Sequence, residues 1–261
     1  MSGGRAAGKL VVVTGAAGGQ GAADAIALAR EGAAVVAVDV TEEPAADVLA
    51  ASGELDLTYR RLDVTDAPGW AGLVEELRAR VAAGGPAVSG LVNNAGITWR
   101  ARLLALEPAD LHRVIDVNVV GALLGMQSLV PLMTGGGSIV NVGSVAALTA
   151  HYPVAYTTSK WALRGMSQAA ALELGPLGIR VNLVHPGYIE TPMTASASPV
   201  FRDANIAETP LGRTGTVDEV APLIVYLMSD ESSFVNGVEI AVDGGMTAHG
   251  GVKSISDALR A

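Results

Sequence analysis

Residues 9–21 read Lys9-Leu10-Val11-Val12-Val13-Thr14-Gly15-Ala16-Ala17-Gly18-Gly19-Gln20-Gly21, a short apolar run that breaks into a glycine-rich turn. An apolar run without polar alternation is what a strand buried on both faces requires. Glycines at 15, 19 and 21 let the chain turn sharply and let a pyrophosphate approach the backbone closely. The alanine-rich stretch that follows, to Glu31, has helical composition. The turn therefore opens a helix whose N-terminus favours negative charge. Its spacing, G-x-x-x-G-x-G, departs from the general dinucleotide fingerprint G-x-G-x-x-G, so the turn alone does not fix the ligand.

The same alternation continues to the end of the chain. Apolar runs at Ala33–Asp39, Thr58–Asp63, Gly90–Asn93, Ser138–Val142, Ile179–Val184 and Val238–Val242 join Lys9–Thr14 as strand candidates. Between them lie helical stretches at Glu42–Ala51, Ala67–Ala83, Pro108–Met133, Val154–Leu174 and Val217–Met228. Strands alternating with helices predict βαβ units: an α/β, doubly wound Rossmann fold with a seven-stranded parallel sheet and helices on both faces. No linker or repeat divides residues 1–261, so one domain is predicted. Ligands of such sheets sit beyond the carboxyl ends of the strands.

Composition excludes several function classes. A formal net charge of −9, with lysine only at 9, 160 and 253, argues against a nucleic-acid partner. Cysteine is absent, so there is no disulfide and no thiolate nucleophile, and no metal is invoked. Residues 117–159 carry no formal charge. The apolar part, Val117–Met133, is shorter than the roughly 20 residues of a membrane span and contains Asn118, Gln127 and Pro131, so a buried helix is expected. The start, Met1-Ser2-Gly3-Gly4-Arg5, lacks the apolar core of a secretory signal, which predicts a cytoplasmic protein.

The unusual residues fall just after the apolar runs. Asp39 ends the second run, 24 residues after Gly15. A carboxylate there accepts hydrogen bonds from the adenosine ribose hydroxyls and repels a 2′-phosphate, and Gly18, Val40 and Thr41 supply no cation, so NAD is preferred. Asp63-Val64 is placed to meet an adenine edge, and Asp63 equally suits a helix cap. Asn93-Asn94-Ala95-Gly96 follows the fourth run; Asn93, Ala95 and Gly96 are read as cofactor-binding, with Gly96 permitting close approach and sheet bracing the alternative for Asn93. Tyr156 and Lys160 stand four apart at the start of a helix, on one face. A phenol of ordinary pKa about 10 is a poor base near neutrality, and a neighbouring ammonium lowers it. Ser144, after the fifth run, is placed to donate to a substrate oxygen.

Residues 9–247 resemble the single-domain branch of the short-chain dehydrogenase/reductase family. The resemblance rests on Thr14–Gly21, Asn93-Asn94-Ala95-Gly96, Ser144, Tyr156-x-x-x-Lys160, Pro186-Gly187 and Asp243-Gly244-Gly245. It implies that Tyr156 is the general acid/base, that Lys160 lowers its pKa and binds the nicotinamide ribose, and that Ser144 orients the substrate oxygen. By the same resemblance Asn118 holds a water in a proton relay. Pro186, Gly187, Ile189 and Thr191 hold the nicotinamide, with Ile189 and Thr191 contacting its carboxamide. The implied reaction is hydride transfer between NAD(H) and a secondary alcohol or ketone, in a homotetramer paired through the helices carrying Asn118 and Tyr156. Extended epimerase-type relatives have tighter glycine spacing, and enoyl reductases of this fold separate Tyr and Lys more widely. A binding-only nucleotide sensor would keep the glycines and usually lose Tyr, Lys or Ser.

Trp99, Tyr152, Tyr188 and Phe201 fall in or beside segments expected at the strand ends, with Met193 in a lid of about residues 188–215. Arg100, Arg102 and Arg202 read as solvated lid charges. An apolar pocket favours a neutral, bulky ketone. The tracts around Val184-His185-Pro186-Gly187 and Thr191-Pro192-Met193-Thr194, with the ending Ala241–Gly245, also resemble bacterial hydroxysteroid dehydrogenases acting on 3α and 20β hydroxyls. A steroid or similar cyclic or aryl ketone is the expected substrate, against the alternative of a broad-specificity dehydrogenase for small ketones.

Overall fold

The structure, a computed structural model, describes residues 4–260. The Met1-Ser2-Gly3 start read above lies outside them. Strand β1 (Leu10–Thr14) is buried at every position, as its unbroken apolar run requires. It leads through the glycine turn into α1 (Gly19–Arg30), then β2 (Ala34–Asp39), α2 (Ala46–Glu54), β3 (Leu57–Arg61), α3 (Ala67–Ala82) and β4 (Val88–Asn93). The second half runs α4 (Pro108–Ile115), α5 (Gly121–Leu129), β5 (Gly137–Val142), α6 (Val154–Leu174) and β6 (Ile179–Pro186). Two short helices, α7 (Pro192–Ala195) and α8 (Pro199–Glu208), precede α9 (Val217–Met228), β7 (Glu239–Val242) and α10 (Lys253–Ala258).

All seven strands pair in parallel, in the order β3-β2-β1-β4-β5-β6-β7. Consecutive crossovers turn in opposite directions from β1, so the chain reverses between β1 and β4 and a crevice opens above their carboxyl ends. Two apolar clusters cover the two faces. Val11, Val13 and Val35 pack with α1 and α9 on one face. Leu10, Val12 and Val36 pack with Trp70, Leu73 and Leu77 of α3 on the other.

Two local expectations change. The acidic start of the second helix, Glu42 to Ala45, is a turn, because Ala45 donates its N–H to Ala17 and α2 begins only at Ala46. The stretch predicted as one helix over 108–133 is interrupted by a π-helical turn at Asp116–Val120 and tightens at Val130–Leu132, where Pro131 sits. The run Pro108–Leu132 is long and apolar enough to cross a membrane by length and composition. Within this fold, however, its helices pack against β4, α3 and α6.

Candidate active site

The glycine turn forms one wall of a cleft of about 480 Å³ at the crevice between β1 and β4. Gly15 has φ +66, and a Cβ there would lie 2.7 Å from Ala95 Cα. Only glycine lets the turn close against the loop that follows β4. A Cβ on Gly21 would lie 2.2 Å from Gly15 O, so Gly21 serves that packing and stands behind the cleft wall. Gly19 and Gln20 face the cleft at the start of α1, with backbone N–H groups that no helical carbonyl precedes. Thr14 and Asn94 brace this wall: Asn94 Nδ2 donates to Thr14 O and Gly15 O at 3.1 and 3.0 Å, and Thr14 Oγ1 accepts from Ala95 N at 3.0 Å.

Asp39 lies at the far end of the cleft. Its carboxylate accepts from Ala17 N at 3.0 Å and Val40 N at 2.7 Å, which holds it at the crevice edge. Gly18, Val40 and Thr41 supply no cation, but parallel pairing of β2 with β3 sets Arg61 beside Asp39. That guanidinium is engaged by Glu42 at 2.9 Å and Val40 O at 3.1 Å. Asp63 and Val64 both line the cleft. Of the two sequence alternatives for Asp63, capping of α3 falls to Asp66, which accepts from Gly69 N at 3.1 Å; Asp63 closes a local turn with Thr65. Asn93 is a correction. It does not reach the cleft, and its Nδ2 donates to Asn141 Oδ1 at 2.9 Å, tying β4 to β5. Its side chain points into the sheet, whereas Ala95 and Gly96, past the strand end, stand on the cleft.

Ser144, Tyr156 and Lys160 meet at the opposite wall. Ser144 leaves β5 and caps the short turn Val145–Ala147, its Oγ accepting from Ala146 N at 3.2 Å. Lys160 is buried, and its Nζ donates to Val142 O at 2.7 Å. Burial lowers its pKa to about 8. Tyr156 as a whole is only half-buried, but desolvation pushes its phenol above the ordinary value, while the Ser144 hydroxyl acts in the other direction. The net direction is opposite to that expected from the lysine alone. The ammonium is itself desolvated and turned to the Val142 carbonyl, 5.6 Å from the phenol ring centre.

Asn118 sits in the π-helical turn, buried. Its Oδ1 accepts from Ile97 N at 2.8 Å, and its Nδ2 donates to Ile97 O at 3.0 Å and Ser159 Oγ at 2.9 Å. The side chain thus clamps the strand-end loop to α6 and does not line the cleft. Pro186, Gly187, Ile189 and Thr191 line the cleft beyond β6. The Thr191 hydroxyl caps α7 in a reciprocal pair with Thr194.

The segment expected to form the lid is tied at its base by pairing of Ile189 with Gly215. Arg100, read as a solvated charge, instead clasps that segment: it donates to Met193 O and Ser196 Oγ, both at 3.1 Å. Arg202 pairs with Glu190 at 2.8 Å, and Arg102 stacks 5.2 Å from the Tyr152 ring centre. Met193 lines the cleft, whereas Tyr152, Tyr188 and Phe201, also expected at the substrate, do not; they gather around Phe201, whose ring centroid is 5.8 Å from Tyr152, 6.0 Å from Tyr188 and 5.7 Å from His151. Local spacing gave no signal for His151. Trp99 is not in this cluster; it lies under the Arg113 guanidinium, 4.7 Å away, because the loop after Gly96 turns toward α4.

The cleft fits a nicotinamide dinucleotide: an open glycine turn faces a helix N-terminus at its centre, a carboxylate stands at one end and a proton-transfer group at the other. Comparison with known proteins agrees in kind. A family model described as Enoyl-(Acyl carrier protein) reductase matches residues 15–247. The chain is 38% identical over 254 residues to the trans-4-hydroxycyclohexanecarboxylate dehydrogenase of Sinomonas cyclohexanicum, spanning 94% of this chain and 95% of that protein. It is 41% identical over 248 residues to the 3-alpha-(or 20-beta)-hydroxysteroid dehydrogenase of Mycobacterium tuberculosis, spanning 94% and 92%. A crystal structure of a gluconate 5-dehydrogenase from Burkholderia cenocepacia, in complex with NADP and tartrate, superposes with a TM-score of 0.85 at 34% identity, covering 93% and 96% of the two chains. With this similarity along nearly the whole chain, the protein belongs to the short-chain dehydrogenase/reductase family of oxidoreductases, which bind a nicotinamide cofactor.

Proposed function

We propose that this protein interconverts a bulky, apolar secondary alcohol and its ketone, on a ring such as that of a hydroxysteroid, using NAD(H). The observation that carries the reading is the meeting of Ser144, Tyr156 and Lys160 on the wall opposite the glycine turn. A bound nicotinamide supplies or takes the hydride. Ser144 donates a hydrogen bond to the substrate oxygen and so stabilises negative charge as it develops there. Tyr156 gives its hydroxyl proton to that oxygen in reduction and recovers it in oxidation. Lys160 holds the ribose and, when charged, favours the phenolate. The four-residue separation of Tyr156 and Lys160 favours this chemistry over enoyl reduction.

Two features support NAD: the Asp39 carboxylate, and the neutralisation of Arg61 by Glu42. A 2′-phosphate about 4 Å from the carboxylate would be repelled by up to about 4 kcal/mol near a protein surface. The expected preference in kcat/KM is therefore on the order of 100-fold, and Asp39→Ala should narrow it. The relatives named for a cyclohexane alcohol and for hydroxysteroids support a ring substrate, as does the apolar Met193 side of the cleft. Steady-state kinetics with NADH and NADPH, each against a steroid ketone, a cyclic ketone and a short aliphatic ketone, tests both parts. Equal kcat/KM for the two cofactors overturns the first, and a ranking led by the aliphatic ketone establishes the small-ketone alternative.

The reading also makes the protein a homotetramer paired through the helices that carry Asn118 and Tyr156. Val120, Leu123, Trp161 and Leu172 of those helices are exposed in the single chain, at 36–83%, and association would cover them. Light scattering at micromolar concentration should give four times the 26.4 kDa chain mass. A monomeric mass rules this out.

A further inference from the structure

His185 is fully buried at the end of β6, just before Pro186, and the reaction as described gives it no part. Its Nδ1 lies against the backbone of Ser144, 3.3 Å from the amide nitrogen and 2.9 Å from the carbonyl oxygen. A Cβ on residue 143 would stand 2.7 Å from that nitrogen, so Gly143 leaves the room the ring needs. On its other side, Nε2 faces Glu239 Oε2, at the start of β7, at 3.5 Å and without a formed hydrogen bond, so the carboxylate acts on the ring by charge and packing.

Glu239 is itself held from α6. Arg164 pairs with it at 2.8 Å and Gln168 donates to it. Arg164 also donates to Ala147 O at 3.2 Å. Tyr156, Lys160, Arg164 and Gln168 recur every four residues and so share one stripe of α6. The first two reach the cleft and the last two reach Glu239. The short turn that presents the Ser144 hydroxyl is thus gripped at both ends, by His185 at Ser144 and by Arg164 at Ala147, and both grips converge on one carboxylate.

We propose that His185, oriented by Glu239 and Arg164, is a positioning residue that aims the Ser144 hydroxyl at the reacting oxygen. The proposal rests on the role given to Ser144 above. A hydroxyl that must meet charge developing in the transition state loses much of its effect when displaced by an ångström, with rate losses reaching about 100-fold. His185 acts on Ser144 through the backbone, not on the substrate, so its loss should reduce kcat and spare cofactor affinity.

The variants His185→Val, His185→Asn and Glu239→Gln are compared with wild type and Ser144→Ala, using NADH and cyclohexanone, with NADH affinity read from fluorescence. In parallel, hydrogen exchange of the Ser144 amide is followed in all of them, a readout that needs no turnover. His185→Val is expected to lose about 10- to 100-fold in kcat, with NADH affinity within about twofold, and to expose the Ser144 amide to faster exchange. Asn carries an acceptor and a donor at the distance of Nδ1 from the chain, so His185→Asn should recover most of both losses. Glu239→Gln should fall between. A His185→Val protein with unchanged Ser144 exchange overturns the proposal, and so does one that keeps kcat within about twofold while Ser144→Ala loses it. Wild-type kcat in Ser144→Ala would instead remove the role of Ser144. If cyclohexanone is not turned over, the exchange result alone decides for or against His185.

Discussion

A Tyr156→Phe protein is expected to reduce ketones about 10²- to 10⁴-fold more slowly than wild type while binding the cofactor nearly as well. The substitution removes the hydroxyl beside Ser144 and leaves the ring, so the cleft wall keeps its shape. Stopped-flow or steady-state kcat together with a cofactor titration separates the two effects. The pH dependence should differ by direction of reaction. Reduction uses the protonated phenol, and burial holds that phenol above its ordinary value, so reduction should stay nearly flat from about pH 6 to 7 and fall only as Lys160 loses its charge near 8. Oxidation uses the phenolate and should accelerate as pH rises. A phenylalanine variant that keeps most of its kcat would refute the assignment of Tyr156.

The second large effect concerns stability. Asp24 is fully buried on α1, one turn after Gln20 of the glycine turn. Its Oδ1 accepts from Gln20 Nε2 at 2.7 Å, but neither Asp24 Oδ2 nor Gln20 Oε1 has a partner among the described residues. Desolvation first, offset in part by the Gln20 hydrogen bond, pushes the Asp24 carboxyl up to about 8. In the unfolded chain it ionises near its ordinary value of about 3.9. Between these two values the unfolded state binds fewer protons than the folded one, so stability falls as pH rises. The loss is about 1.4 kcal/mol per pH unit, on the order of 5 kcal/mol once the pH passes the folded value. Asp24→Asn stays neutral at every pH and puts donor hydrogens where Oδ2 has none. Urea unfolding at pH 8 should show the variant more stable by several kcal/mol, with the difference shrinking toward zero near pH 4. Equal stabilities at pH 8, or a difference that does not change with pH, would contradict this account.

Both predictions begin from residues whose meaning came from different places. The Tyr156–Lys160 pair is legible in the sequence because both groups lie on one helix, where spacing alone sets a shared face. Asp24 is also in a helix, four residues after Gln20, but its burial depends on what the folded chain packs around α1, which local spacing does not encode. The same division separates Asn94, Ala95 and Gly96, which stand on the cleft, from Asn93, which does not. One residue of strand alternation turns a side chain from the cleft into the sheet.

By itself the sequence determined the alternation of buried strands and helices, and hence a parallel sheet with its chemistry at the carboxyl ends. It also marked the glycine turn, Asp39, Ser144, Tyr156 and Lys160, since each is announced by a local pattern or by its position after an apolar run. The tertiary structure decided the rest. It brought Glu239 to Arg164, 75 residues away in sequence, and to His185 across the β6–β7 pairing. It set Arg61 beside Asp39, gathered His151 with Tyr152, Tyr188 and Phe201, and left Trp99 outside that cluster. These contacts follow from strand register and loop path. A periodic sequence specifies which face of an element is buried, but not which distant residue it will be buried against.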